Sequence, residues 1–333
     1  MKFPYSIFKT KPRLGMLILF APNIFTSCLT VLYFTGCSHS KSLGDSLQIG
    51  TVVFAYKSEN INHLWLMDIN NSGIGYNVRR LTNDVEAENY PSWSPDGKRL
   101  VYQRDYNGSG IYIVDADGKN QHRLSATPGF DATPSWSPDG KQIIYTRVLQ
   151  LIVPSQIPKT EIHVMNWDGS EDRVILPKSD FSVEPRWSAN NQIVFMSNMN
   201  GGQQIFTMNT DGTNVKQLTH DGSNGDPVWS PDGKQISFGS NREGNGKLNI
   251  FVMNADGSNL MQLTHFESPF ESGDTNWSSD GTKIIFEYDI DGQLQSNPNA
   301  YAEVWTMNAN GTEQLSTRQP CSSVGCAPRW QPK

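Results

Sequence analysis

The sequence predicts an all-β fold, a six-bladed β-propeller built of four-stranded antiparallel blades. Three observations carry this reading. Tryptophan recurs at 93, 136, 187, 229, 277 and 330, at the spacing of a propeller blade. Each interval repeats the same four short apolar runs between Gly-, Asp- and Asn-rich turns, the pattern of strands rather than helices. The two ends of the repeat region are also complementary, the first lacking an element that the last supplies, so that the repeat can close on itself.

The chain opens on an export signal. Residues 1–13 carry Lys2, Lys9, Lys11 and Arg13 without an acid, and residues 14–36 carry no charge at all, which is the order of a signal n-region and h-region. Phe34-Thr35-Gly36-Cys37 resembles the lipobox of bacterial lipoproteins, with Phe where Leu is usual; it implies that residues 1–36 are removed and that Cys37 is the site of lipid attachment. The alternative is an uncleaved anchor, because the 14–36 segment is long enough to cross about 30 Å of hydrocarbon at ~1.5 Å per residue. Both readings tether the protein to a membrane and place everything after about residue 38 away from the cytoplasm. Residues 37–50 then form a short linker, and residues 51–333 a single propeller.

Within the repeat, strand A ends in the Trp and runs into a turn: PSWSPDG, PSWSPDG, PRWSANN, PVWSPDG and TNWSSDG, with PRWQP as the last copy. Pro presets φ in this turn, Asp bonds its own backbone, and Gly or Asn takes the left-handed position. Strand B follows as RLVYQR (99–104), QIIYTR (142–147), QIVFMS (192–197), QISFGS (235–240) and KIIFEY (283–288). Strand C follows as GIYIVDADG, EIHVMNWDG, QIFTMNTDG, NIFVMNADG and EVWTMNANG, and strand D as HRL, RVIL, VKQLT, MQLT and EQLS. Residues 51–56 (TVVFAY), 63–70 (HLWLMDIN) and 79–82 (RRLT) read as B, C and D with no A before them. Their missing strand is the one around Trp330, and pairing it with the N-terminal strands (51–82) removes the open edges that an open solenoid would leave. One Trp per blade in strand A predicts rings wedged between blades rather than a sugar-binding platform.

The Pro-x-Trp-Ser-Pro-Asp-Gly and Asn-Ala-Asp-Gly turns resemble the WD40-like propeller of the TolB family over about residues 50–332. The resemblance implies a protein- or peptide-interaction platform in the bacterial cell envelope, here a monomeric propeller. In TolB an α/β domain precedes the propeller, whereas only residues 38–50 separate Cys37 from Thr51. Cys321 and Cys326 remain in the folded part and can pair in an oxidising compartment, or stand as two reduced thiols.

Composition narrows the function classes. A net charge of −6 and a pI near 5.5 are wrong for nucleic acid, whose affinity rests on clustered Lys and Arg. A hydrophobic content of 37% leaves room for at most one membrane span. There is no Gly-x-Ser-x-Gly, His-Glu-x-x-His or phosphate-binding loop to announce an enzyme.

In a meander the A–B and C–D turns share one face, and the B–C and D–A loops share the other. The irregular loops 148–160, 264–274, 288–302 and 316–326 all belong to that second, variable face, where binding residues concentrate on a rigid scaffold. Acids recur where strand A enters the central channel: Glu184, Asp226 and Asp274 three residues before the Trp, Glu88 and Asp131 five before it, with Arg186 and Arg329 one before theirs. Two readings follow. The group forms a channel mouth for a cationic peptide, or the acids stabilise loop turns and stay solvated. His220 and His265 occupy matching D–A positions and with Asp226 are the candidates for a divalent metal. Such a metal would suit a polysaccharide lyase or hydrolase of the oligogalacturonate-lyase type, the rival to a binding module that needs no cofactor.

Overall fold

The structure is a computed structural model that describes residues 48–332 apart from 59–60, 106–108, 126–129, 150–157, 245–246, 267–272, 289–301 and 322–325. The signal segment, Cys37 and most of the linker lie outside the described residues, as does much of the four irregular loops.

Every described element is a strand. The chain begins with β1 (Gln48–Ser58), β2 (Ile61–Asn70) and β3 (Gly75–Arg80). Blade 2 is β4 (Ala87–Trp93), β5 (Arg99–Asp105), β6 (Ser109–Asp115) and β7 (His122–Arg123). Blade 3 is β8 (Phe130–Trp136), β9 (Gln142–Val148), β10 (Lys159–Asn166) and β11 (Arg173–Asp180). Blade 4 is β12 (Ser182–Trp187), β13 (Gln192–Ser197), β14 (Gln204–Asn209) and β15 (Lys216–Gln217). Blade 5 is β16 (Asn224–Trp229), β17 (Gln235–Ser240), β18 (Asn249–Asn254) and β19 (Met261–Gln262). Blade 6 is β20 (Asn276–Trp277), β21 (Lys283–Tyr288), β22 (Ala302–Asn308) and β23 (Leu315–Cys321). The last strand, β24 (Arg329–Trp330), pairs with β1, giving the sheet order β24-β1-β2-β3 and six four-stranded sheets in all.

Closure rests on a small set of contacts. Val52 and Val53 face Trp330 and Arg329 across the β1–β24 ladder. The Ala55 N–H donates to Cys326 O at 2.9 Å, and Gln331 N–H to Thr51 O at 2.8 Å. The Trp330 ring lies on the backbone of Gly50, where a Cβ would stand 2.8 Å from it. β1 begins at Gln48, ahead of the expected Thr51, because Gln48 and Gly50 pair with Asn70 and Ile69 of β2. A disulfide joins Cys321 at the end of β23 to Cys326 just before β24, with Cα atoms 5.5 Å apart. Closing so short a loop contributes about 2 kcal/mol in the loop-entropy account.

Each hydrophobic cluster lies between two blades and each contains one of the strand-A tryptophans. Val53, Leu64 and Leu81 of blade 1 meet Trp93, Leu100 and Tyr102 of blade 2. Val52, Phe54 and Met67 meet Ile285, Val304 and Trp330 across the closure. The same arrangement recurs around Trp136, Trp187, Trp229 and Trp277, so the predicted wedge position is observed. Within every blade an aromatic of strand B faces an aromatic position of strand C: Phe54 and Trp65, Tyr102 and Tyr112, Phe195 and Phe206, Phe238 and Phe251, Phe286 and Trp305. In blade 3 the partner of Tyr145 is His163.

The turns behave as their residues dictate. In the A–B turn the Ser94 hydroxyl donates to Asp96 Oδ1 at 2.6 Å, Lys98 N–H donates to the same oxygen, and Arg99 N–H donates back to Ser94 Oγ. Blades 3, 5 and 6 repeat this. In the C–D turn Gly212 has φ 84°, and a Cβ there would lie 1.9 Å from Ile175 O of the preceding blade, so only glycine lets the blades approach. Strand D is less uniform than the sequence suggests. It has two residues in β7, β15 and β19 but eight in β11 and seven in β23. Residues 316–321, read as loop, are therefore strand, held by pairing of Glu303 with Pro320 and Ala302 with Cys321.

Deleting residues 327–333 removes β24 and with it one strand of blade 1 and one inter-blade Trp. Loss of a buried Trp alone costs about 3–5 kcal/mol, so the melting temperature should fall by about 10 °C or more. A calorimetric melt unchanged by the deletion would contradict this account of closure.

Candidate functional site

Six strands A line the axis, each in contact with the next around the ring. Each carries an irregularity at one place. The residue three before the Trp has a left-handed backbone in all six blades: Tyr90 (φ 51°), Thr133 (52°), Glu184 (58°), Asp226 (51°), Asp274 (45°) and Ala327 (38°). In blades 2 to 5 the register against strand B shifts at this point, which is a β-bulge that inserts one extra residue. Left-handed φ costs a non-glycine residue about 1–2 kcal/mol, and Thr133 and Tyr90 show that the fold imposes it whatever the side chain.

The bulge separates the two groups of acids that the sequence reading joined. Because of the extra residue, Glu88 and Trp93 stand opposite Arg104 and Leu100, on one face of β5, although an odd number of positions separates them. Glu88 accordingly points into the cleft between blades 1 and 2. There it accepts a short hydrogen bond from Thr82 and one from Gln121 Nε2 at 3.1 Å, with His63 Nδ1 3.6 Å away. Burial, with the negative charge of Asp84 adding to it, pushes Glu88 up to about 7.

Asp131 takes the matching place in blade 3. It accepts from Arg147 Nε at 2.7 Å. Arg147 continues to Asp172 at 3.0 Å, and Asp172 reaches Tyr145 at 2.8 Å and His163 Nδ1 at 2.9 Å, while His163 Nε2 meets Glu161 at 3.1 Å. Burial opposes ionisation of Asp172, but hydrogen bonds from His163 and Tyr145 and the Arg147 charge bring it to about 2. Strands A, B and C and the entry to D each contribute a charge to this network, which the sequence reading did not single out. Its signal was available: His163 stands where the other strands C carry Trp, Tyr or Phe.

The bulge residues and their neighbours meet at the axis. The Asp226 N–H of blade 5 donates to Glu184 Oε2 of blade 4 at 2.9 Å. The Asp226 carboxylate lies against Gly273 of blade 6, where a Cβ would be 2.8 Å from it. Arg329 of blade 1 donates to Asp274 Oδ1 of blade 6 at 3.4 Å, and Arg186 of blade 4 donates to Thr133 O of blade 3 at 3.2 Å. Five of the seven predicted residues are thus brought together, Glu184, Arg186, Asp226, Asp274 and Arg329, while Glu88 and Asp131 are not. Glu184, Asp274 and Arg329 are buried, so the solvated-turn reading does not describe them.

Burial, then the charge of Asp274, raises Glu184. Burial, then the charges of Glu184 and Asp274, raises Asp226 well above the carboxylate range. Burial and the neighbouring Arg329 bring Arg186 down to about 10. Three carboxyls against two guanidiniums leave an excess of negative charge that a shared proton relieves.

His220 and His265 are both exposed. Among the described residues one group of possible metal ligands comes close enough together, Glu287 with Cys321 and Cys326. Its two sulfurs are already bonded to one another and offer no thiolate.

Residues 46–154 and 157–323 match the family model of the TolB beta propeller domain. TolB from Acinetobacter baumannii superposes with a TM-score of 0.67 at 19% identity, over 85% of this chain and 67% of that one. A putative TolB from Agrobacterium tumefaciens gives 0.64 at 20%, over 85% and 99%. An oligogalacturonate lyase in complex with manganese gives 0.55 at 16%, over 80% and 73%.

The raised carboxyls fix a sign. The native state binds protons that the unfolded chain has released, so stability falls as pH rises from the ordinary carboxyl range through about 7. Asp226→Asn keeps the shape of the protonated acid and removes one such proton. It should stabilise the protein by about 1 kcal/mol at pH ~8 and flatten the decline in melting temperature between pH ~5 and ~8. Melting curves across that range check it, and an unaltered slope would count against the buried proton.

Proposed function

Because the chain belongs to the TolB β-propeller family, we propose that it is a membrane-tethered, extracytoplasmic propeller that serves as a protein or peptide interaction platform in the cell envelope. The observation that supports this most is the charged group at the axis. Glu184, Asp226, Asp274, Arg186 and Arg329 come from blades 4, 5, 6 and 1, and no local turn requires them there. On a scaffold whose strained bulges hold these side chains in place, a partner's ammonium or guanidinium group can replace the shared proton. Binding of that kind releases a proton and tightens as pH rises.

Tethering follows from the lipobox-like Phe34-Thr35-Gly36-Cys37, with positive charge before it to hold the N-terminus inside. Cys37→Ser should move the protein out of the membrane fraction on cell fractionation. A variant that stays in the membrane favours the uncleaved anchor over lipid attachment.

The lyase reading and the platform reading part at the metal. The platform predicts that envelope proteins captured by the wild type are lost when Glu184→Gln, Asp226→Asn and Asp274→Asn are combined in a protein that still melts cooperatively, and that Mn²⁺ does not raise the melting temperature. Ligands of the native state raise it by RT ln(1 + [L]/Kd). Identical capture by both proteins, or a Mn²⁺-dependent rise abolished by His220→Ala or His265→Ala, would overturn the platform.

A further inference from the structure

We propose a saccharide-binding subsite on the turn face of the propeller, at the opposite end from the irregular loops and independent of the platform reading. A cavity of about 180 Å³ lies between the A–B turns of blades 2 and 3 and is lined by Pro95, Asp96, Arg99, Trp136, Asp139 and Trp167. Trp167 holds the C–D turn position at which blades 2, 4, 5 and 6 carry Ala116, Thr210, Ala255 and Ala309. The backbone there needs no indole. Trp167 N–H donates to Lys141 O at 2.9 Å, and Ala116, Ala255 and Ala309 make the corresponding bonds at 2.8, 2.8 and 2.9 Å. Trp167 nevertheless keeps 41% of its surface in solvent, an exposure that folding alone does not favour.

Arg99 is the second departure, standing where strands B of blades 3 to 6 begin with Gln142, Gln192, Gln235 and Lys283. Its guanidinium carbon sits 4.2 Å from the centre of the Trp167 ring. Among the described residues its only hydrogen bond to a side chain is the one its backbone N–H gives Ser94, so its guanidinium donors are unspent on them. Asp96 and Asp139 each use Oδ1 for their turn, accepting from Ser94 and Ser137 at 2.6 Å. The second oxygen of each faces a lysine Nζ at 4.0 Å, and the Arg99 charge also acts on Asp96. At the buried side the Trp136 ring closes the cavity.

The chemistry of this set selects a ligand class. A cation would meet Arg99 and an anion would meet Asp96 and Asp139. A neutral pyranose suits both, because its hydroxyls accept from the guanidinium and donate to the carboxylates while its C–H face lies on an indole.

Titration of methyl glycosides of glucose, galactose and N-acetylglucosamine into protein carrying ¹⁵N-labelled tryptophan tests the site through the nine indole N–H signals. At least one glycoside should shift the Trp167 signal, identified by its loss in Trp167→Ala, with a Kd on the order of 1 mM. Arg99→Gln, the residue of the neighbouring blades, should weaken binding about tenfold while the melting temperature holds. The proposal is overturned if no glycoside shifts the Trp167 signal, or if binding is equal in wild type and in Arg99→Gln.

Discussion

The structure depends on ring closure. Each apolar cluster belongs to two blades at once, and the one around Trp330 exists only because the last strand of the chain pairs with the first. A four-stranded sheet with both faces apolar cannot stand alone in water, and stacking leaves two open faces unless the stack turns through a full circle. Gly50, which lets the Trp330 ring lie on β1, and the Cys321–Cys326 bridge, which holds β24 beside β23, both serve that single junction. They also lie at the two ends of the described chain, where local sequence has least to hold it.

Closure has a second consequence at the axis. Six strands A converge on one line, and each takes a left-handed backbone at the same position, with a β-bulge there in blades 2 to 5. The fold sets the backbone; the side chain there is free to vary, from Ala327 and Thr133 to Glu184, Asp226 and Asp274. Blades 4 to 6 use that freedom to place three carboxyls within reach of one another, at a cost in desolvation that closure makes tolerable. The raised carboxyls of Glu184 and Asp226 are thus a product of architecture, since the two residues come from different blades.

Departures from the repeat mark what is particular to this propeller. His163 replaces an aromatic and draws Tyr145, Arg147, Glu161 and Asp172 into one network. Arg99 and Trp167 replace the usual Gln and Ala and are found against each other. In a repeat protein the common residues report on stacking, so paired exceptions that touch across blades carry the information about individual function.

By itself the sequence determined the number of blades, the four strands of each, the turn chemistry and the closing pair, because all follow from periodicity and from local backbone preferences that each copy states again. It also placed Glu184, Arg186, Asp226, Asp274 and Arg329 in one group by their offsets from the Trp. Only the tertiary structure showed that Glu88 and Asp131, counted from the same Trp, belong elsewhere. An offset in sequence assumes regular alternation of side chains, and the bulge breaks that alternation between the fifth and the third residue before the ring. The length of β23 and the meeting of Arg99 with Trp167 were likewise decided in three dimensions, since each depends on a strand or turn that the chain reaches many residues away.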